Sequence, residues 1–111
     1  MLKKILLFVF LSFVSFSVFS MDGNKLYKHG KEYINPNSHS YVDIGIYIGY
    51  ISGVLESNTI AYGPFCAPKK AIYDQAYEIV YNYLKNHPEK REQDASKLIF
   101  EALQSVWGCN N

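Results

Sequence analysis

The chain has 111 residues and two cysteines, and its 11 Lys and Arg residues are nearly balanced by 10 Asp and Glu residues. This length fits one small domain and excludes a multidomain enzyme. Nucleic-acid binding is disfavoured as well, because phosphate contacts need basic residues concentrated on one surface and the sequence has no such cluster.

Residues 1–20 have the pattern of a secretory signal peptide. Lys3 and Lys4 precede an apolar, serine-containing run from Ile5 to Phe19, and the small residue Ser20 suits a signal peptidase that would free Met21. The run is shorter than the roughly 20 residues of a bilayer span, and an uncleaved N-terminal anchor is the alternative. We predict export to an oxidising compartment, no membrane association after cleavage, and a domain over residues 21–111 with 9 basic and 10 acidic side chains.

Four helical stretches are predicted in this domain, which is therefore expected to be all-α. The first covers about residues 24–34 and is the weakest, because Gly30 interrupts it and two turns would account for it. The second has Ser40 as a plausible N-cap, followed three residues later by Asp43, and runs to about Ser57.

The second helix is apolar nearly all round, which predicts a buried, central helix. Ile44, Ile48, Ile51 and Leu55 share one side. Glycine recurs every four residues on the other side, at Gly45, Gly49 and Gly53. Such a stripe lets another backbone approach closely, and we expect it to pack within a soluble bundle rather than to mediate membrane dimerisation.

The connection over residues 58–65 carries no charge and is the first candidate for a partner-binding surface. Large apolar and aromatic side chains on a held loop are typical binding anchors. The candidate anchors are Ile60, Tyr62 and Phe65, with Tyr62 placed at the tip of the loop. The alternative is a capping loop that covers the core.

The third helix, over about residues 71–86, is amphipathic. Its apolar arc comprises Ile72, Ala76, Ile79, Val80 and Tyr83. Tyr77 and Tyr81 fall at the edge of this arc, where each ring either completes the core or contacts a partner. The charged turn that follows is a second candidate surface, with His87, Glu89 and Arg91 expected to steer encounter as a polar rim.

The fourth helix starts after Asp94 as N-cap and ends before Gly108. Cys109 then lies close to Cys66 if the third and fourth helices are antiparallel. In an oxidising compartment two cysteines normally form one intramolecular disulfide, and this bond would tie the last two helices together. A redox-active pair is the alternative, but it is disfavoured because such pairs usually have Cys-x-x-Cys spacing.

No residue pattern typical of an enzyme, a metal site or a cofactor site is found. His29, His39 and His87 lie in separate polar stretches without metal-ligand spacing. The sequence also has no nucleophile elbow, phosphate-binding glycine loop or dinucleotide fingerprint. We therefore expect a protein without catalysis and without a cofactor.

Several short motifs, taken in order, resemble the Rap/Tai family of type VI secretion immunity proteins. They are GYISGV at residues 49–54, FCAP at 65–68, Gln75, YL at 83–84, HPE at 87–89, Arg91, Ala95, Leu98, Ala102 and Cys109. The similarity extends from about Gly23 to Cys109. It implies a periplasmic, all-α, usually dimeric protein that binds and blocks a peptidoglycan amidase effector of the cysteine type and has no catalysis of its own.

The chain departs from this family at one point, since many members carry a second cysteine pair. The corresponding positions fall near His29 or Gly30 and at Tyr47. We interpret the protein as a periplasmic immunity protein for a cognate amidase effector, with a periplasmic acid-stress chaperone as the alternative and an enzyme as a distant third. We also expect a homodimer, because the second helix and the tyrosine edge exceed what a domain of this size easily buries.

Overall fold

In the computed structural model of the protein, residues 20–61 and 66–109 are described, with residues 58–61 described by their backbone alone. The four helices are α1 (Gly23–Ile34), α2 (Tyr41–Ala61), α3 (Tyr73–Asn86) and α4 (Ala95–Trp107), and a short 3-10 helix (Pro88–Lys90) precedes α4. The predicted all-α domain of four helices is confirmed. The predicted signal peptide lies outside the described residues, apart from Ser20.

Helix α1 runs without a break through Gly30, so the prediction of an interrupted helix was wrong. Asp22 caps the start of the helix, because its side chain accepts a hydrogen bond from the Lys25 N–H at 2.9 Å. Gly30 is buried, and a Cβ atom there would lie 2.9 Å from Tyr47 Cε2 and 3.2 Å from Tyr81 Cδ2. The missing side chain is therefore what allows α1 to lie directly against these two rings.

Helix α2 extends to Ala61, four residues beyond the predicted end at Ser57. Tyr47 and Ile51 are its fully buried side chains. The expectation that the glycine stripe packs within the bundle was wrong. No atom of the rest of the described chain lies within 4 Å of a Cβ built on these glycines, which are Gly45, Gly49 and Gly53.

The core lies between the buried side of α2 and the apolar faces of the other three helices. Its fully buried large side chains are Leu26, Tyr47, Ile51, Val80, Leu84, Leu98, Ile99 and Leu103. Tyr47 can be buried because its hydroxyl donates to the Tyr77 carbonyl oxygen at 2.6 Å. The Tyr77 hydroxyl in turn lies 2.7 Å from Ser52 Oγ. These hydrogen bonds satisfy the polar ends of the two tyrosines inside an otherwise apolar core.

The burial of tyrosines makes the fold sensitive to alkaline pH. Burial is the main cause that raises the pKa values of Tyr33, Tyr47, Tyr81 and Tyr83 above the ordinary tyrosine value of 10.0. The unfolded chain therefore loses these protons at a lower pH than the folded chain. The resulting stabilisation is fully present below pH 10 and is lost as the pH rises above it.

We expect the urea midpoint to fall steeply above about pH 10 and the fall to be shallower in a Tyr47→Phe variant. Phenylalanine keeps the ring but has no proton to lose, so the free energy of unfolding should change by about 1.4 kcal/mol less per pH unit in this range. Urea denaturation of both proteins between pH 8 and pH 11 measures the difference. Parallel pH profiles would contradict the assignment of the effect to Tyr47.

The start of the domain is hydrogen-bonded to the segment that leads into α4. The Ala95 N–H donates to the Met21 carbonyl oxygen at 2.9 Å, and the Gly23 N–H donates to the Gln93 carbonyl oxygen at 2.9 Å. Gly23 is needed at this contact because a Cβ atom there would lie 2.8 Å from the Arg91 carbonyl oxygen. The first residues after position 20 are thus an integral part of the fold.

The predicted disulfide between Cys66 and Cys109 is present, with Cα atoms 5.0 Å apart. The Cys66 N–H also donates to the Trp107 carbonyl oxygen at 2.6 Å. The segment before α3 is therefore fixed to the end of α4, as expected. Among residues 20–61 and 66–109, no helix has the length and apolar character needed to cross a membrane.

Candidate functional site

An open groove of about 340 Å³ lies where the end of α2, the start of α3 and the end of α4 meet. Among the described residues its lining is mostly apolar and aromatic, and Glu56 is the one charged side chain in this set. The lining residues are Leu55, Glu56, Ala67, Ala71, Ile72, Tyr73, Ala76 and Trp107. A concave surface of this kind suits the apolar side chains of a protein partner better than a charged ligand.

The rim of the groove carries two large side chains that are exposed to solvent. Ile72 is 59% exposed and Tyr73 is 50% exposed. Ile72 was predicted to lie on the buried arc of α3, and this was wrong because the helix begins at Tyr73, two residues after the predicted start. Ile72 is the N-cap residue, and its N–H donates to Gln75 Oε1 at 3.0 Å. The cap therefore holds an isoleucine at the surface.

The groove adjoins both ends of the connection that was predicted to bind a partner. Leu55 and Glu56 precede this connection and Ala67 follows it, and all three line the groove. The predicted anchors Tyr62 and Phe65 lie outside the described residues, and Ile60 belongs to the last turn of α2, where its side chain is not described. The described part of the site thus consists of residues on either side of this connection in the sequence.

The two tyrosines at the edge of the α3 arc have different surroundings. Tyr77 is buried, and both its hydroxyl and its carbonyl oxygen are used in the hydrogen bonds with Ser52 and Tyr47. Tyr81 is half-buried and stacks on Tyr27 with ring centroids 5.6 Å apart. Of this pair, Tyr81 is the one with surface to offer a partner.

The charged turn at residues 87–92 terminates α3. Arg91 Nε donates to the Leu84 carbonyl oxygen at 2.7 Å, and its guanidinium carbon lies 3.8 Å from the centre of the Tyr27 ring. His87 Nδ1 donates to the Tyr83 carbonyl oxygen at 2.8 Å. His87 and Arg91 therefore cap the carbonyl groups at the end of the helix.

This capping role was not predicted, although the positions of His87 and Arg91 just after α3 indicate it. Basic side chains just beyond the last helical residue often bond the free carbonyl oxygens there. Within the turn, Glu89 is exposed to solvent. It is the member of the predicted rim with most freedom to meet a partner.

A second, more polar cavity of about 270 Å³ lies between the end of α3 and α4. Its lining residues are Ile79, Asn82, Tyr83, Asn86, His87, Ser105 and Val106. Beside it, the Tyr83 hydroxyl donates to Glu101 Oε2 at 3.0 Å and accepts from Lys90 Nζ at 3.1 Å. These polar groups satisfy one another, so the apolar groove is the stronger candidate for a binding surface.

No group of three or more His, Cys, Asp or Glu residues in the described parts of the chain could hold a metal ion. The comparisons with known proteins agree with a binding role. A family model of Rap1a immunity proteins matches residues 22–109. No curated protein is similar enough to the chain to count as a match.

Proposed function

Because the chain belongs to the Rap1a immunity protein family, we propose that it protects the cell wall in the periplasm by binding and blocking a type VI secretion peptidoglycan amidase. The observation that carries this proposal is the family match over residues 22–109, which includes all four helices and both cysteines. The family consists of immunity proteins, which are not enzymes, and implies inhibition of a cognate amidase effector.

Three features support a periplasmic location. The signal-peptide pattern of residues 1–20 ends two positions before the family match begins at Asp22. The hydrogen bond from the Ala95 N–H to the Met21 carbonyl oxygen supports a folded domain that starts after residue 20. The disulfide between Cys66 and Cys109 needs an oxidising compartment to form and persist.

The amidase is proposed to contact the apolar groove together with residues 60–65. Ile72 and Tyr73 at the rim are exposed large side chains on a helix start that is fixed by its cap and by the neighbouring disulfide. Rigid apolar and aromatic anchors of this kind contribute most of the energy in protein interfaces. A protein that fills the catalytic cleft of a cysteine amidase in this way inhibits it without any chemistry of its own.

The remaining predicted residues extend this surface. Ile60 in the last turn of α2, together with Tyr62 and Phe65 after the helix, is proposed as a set of further anchors. Glu89 is proposed as a steering charge and Tyr81 as a secondary contact. The capping bonds of His87 and Arg91 hold the turn that presents Glu89. We further propose that the protein is a homodimer.

The proposal is tested by rescue of cells that express the cognate amidase in their periplasm. The full chain should restore growth, and a chain lacking residues 2–20 should not, because it stays in the compartment that the amidase does not reach. Purified residues 21–111 should inhibit the amidase in a peptidoglycan hydrolysis assay at a ratio of one chain to one enzyme. Failure of the purified domain to inhibit would contradict the function, whereas equal rescue by both chains would contradict the location.

A further inference from the structure

The second cavity, between α3 and α4, is separate from the apolar groove, and among the described residues the two share no lining side chain. Five of its lining residues recur at spacings of three and four along α3 and its C-cap, which places them on one side of the helix. They are Ile79, Asn82, Tyr83, Asn86 and His87. Pockets that bury drug-sized ligands have volumes of about 300–1,000 Å³. The 270 Å³ of this cavity therefore suits a smaller molecule.

Two aromatic rings form a fixed part of the cavity wall. The Tyr83 and His87 rings are stacked, with centroids 4.2 Å apart. His87 is held because its Nδ1 donates to the Tyr83 carbonyl oxygen at 2.8 Å. Tyr83 is held because its hydroxyl donates to Glu101 Oε2 at 3.0 Å and accepts from Lys90 Nζ at 3.1 Å. The rings are therefore oriented before a ligand arrives, and packing against them carries little cost of ordering side chains.

Two amide side chains at the same cavity have their hydrogen-bonding groups available to a ligand. Asn82 and Asn86 lie one helical turn apart and are exposed, and neither side-chain amide hydrogen-bonds to another described residue. Each amide offers two N–H donors and one carbonyl acceptor. Ser105 Oγ donates to the Ala102 carbonyl oxygen at 2.6 Å, which leaves the oxygen itself able to accept. The cavity thus presents donors and acceptors for several hydroxyl groups of one ligand.

The charges around the cavity favour a neutral ligand. Among the described lining residues, none is Asp, Glu, Lys or Arg. The nearest ionic groups described above, Lys90 Nζ and Glu101 Oε2, are 3.6 Å apart and neutralise each other. A small neutral molecule that combines several hydroxyl groups with an apolar ring face fits these surroundings. A sugar ring has this chemistry.

We propose that this cavity binds one N-acetylated amino sugar, such as N-acetylglucosamine. The C–H face of the sugar packs on the Tyr83 and His87 rings, and its hydroxyl groups bond to the asparagine amides. The acetamido group matches an asparagine side chain, because each is a planar amide with a carbonyl acceptor and an N–H donor. Its methyl group packs on Ile79, which is half-buried at the same cavity. The inference goes beyond the proposed function, since the ligand is not the amidase.

The test is an NMR titration of ¹⁵N-labelled protein purified after expression of the full chain. N-acetylglucosamine should shift the side-chain amide signals of Asn82 and Asn86 with a dissociation constant of about 1 mM, an ordinary affinity for so small a ligand. Glucose lacks the acetamido group and should bind at least about tenfold more weakly. A free sugar and a glycan strand share this chemistry. Tighter binding of the β-1,4-linked trimer than of the single sugar would assign a strand, and equal binding a free sugar.

Replacing Asn82 and Asn86 together with alanine should raise this dissociation constant at least about tenfold, because two hydrogen-bonding groups are lost. Both side chains are exposed, so the melting temperature should stay within a few degrees of the native value. Asn24→Ala is the matched control, since Asn24 is an exposed asparagine on α1 outside the cavity, and it should bind the sugar like the native chain.

Unchanged amide signals at about 20 mM N-acetylglucosamine, roughly twenty times the expected dissociation constant, would overturn the proposal. Equal binding of glucose would overturn it as well, because the acetamido group would then play no part. Equal effects of Asn24→Ala and the double variant would show that the sugar is not held at this cavity. The titration contains no amidase, so its result does not depend on the proposed function.

Discussion

Replacing Cys66 and Cys109 together with serine is expected to lower the free energy of unfolding by about 4 kcal/mol in residues 21–111. The two cysteines are 43 positions apart, and closing a loop of this length removes much of the conformational freedom of the unfolded chain. In a domain of this size, 1 kcal/mol changes the melting temperature by several degrees, so the melting temperature should fall by about 20 °C. The expected effect is large because the bond joins the segment before α3 to the end of α4.

Thermal denaturation followed by circular dichroism measures this effect. The control is the native chain with its disulfide reduced, which should melt together with the double serine variant if the bond itself is responsible. A decrease of less than about 5 °C would contradict the loop-closure argument. It would mean that residual contacts between the α3 and α4 segments already restrict the unfolded chain without the disulfide. The disulfide also holds Cys66 against Trp107, so the variant should lose amidase inhibition before it unfolds.

The helices could be predicted from the sequence because their boundaries are set by local chemistry. Ser40 and Asp94 were predicted as N-caps and directly precede α2 and α4, and Gly108 ends α4 as predicted. The error over Gly30 has a tertiary cause: the cost of a glycine within a helix is offset by contact with Tyr47 and Tyr81, which come from two other helices. A single sequence does not show which residues will meet across the core.

The glycine stripe of α2 illustrates the same limit. Its spacing would allow a backbone to approach, but spacing alone does not show whether one does. In the described structure the space beside Gly49 and Gly53 is open, while Tyr47 and Ile51 fill the core side. The apolar residues all round α2 therefore belong to two faces. One face packs in the core, and the described residues do not cover the other.

The groove lies near the region that the sequence analysis singled out. Leu55 and Glu56 precede the connection over residues 58–65 and Ala67 follows it, and all three line the groove. The sequence did not reveal Ile72 and Tyr73 as exposed rim residues, because a shift of one or two residues in the start of α3 moves a side chain from the buried arc to the surface. The roles of His87 and Arg91 as helix caps likewise depend on how the chain turns after Asn86.

Replacing Ile72 and Tyr73 together with alanine is expected to weaken amidase inhibition at least about 100-fold, because both side chains are exposed at the rim of the groove and two binding anchors are lost at once. The melting temperature should change by no more than a few degrees, since Ile72 is 59% exposed and Tyr73 is 50% exposed, so that truncation leaves no cavity in the core. Inhibition constants from a peptidoglycan hydrolysis assay and melting curves of the same preparations measure the two effects. Val106→Ala is the matched control, because it also truncates an exposed apolar residue but lies outside the groove.

A second variant, in which Ile60 and Tyr62 are replaced with alanine, separates the contribution of the groove from that of residues 60–65 (below, the loop variant). If both surfaces bind the amidase, each double variant should lose inhibition while its melting temperature is retained. The variant with all four substitutions should lose no more binding free energy than the sum of the two losses, because both surfaces bind one partner. If only the loop variant lost inhibition, Ile60 and Tyr62 would be the binding anchors, and the groove would only support them. Full inhibition by both variants would contradict the proposed surface and move the contact to the turn around Glu89, where a charge reversal to lysine would then reduce the association rate and its dependence on salt.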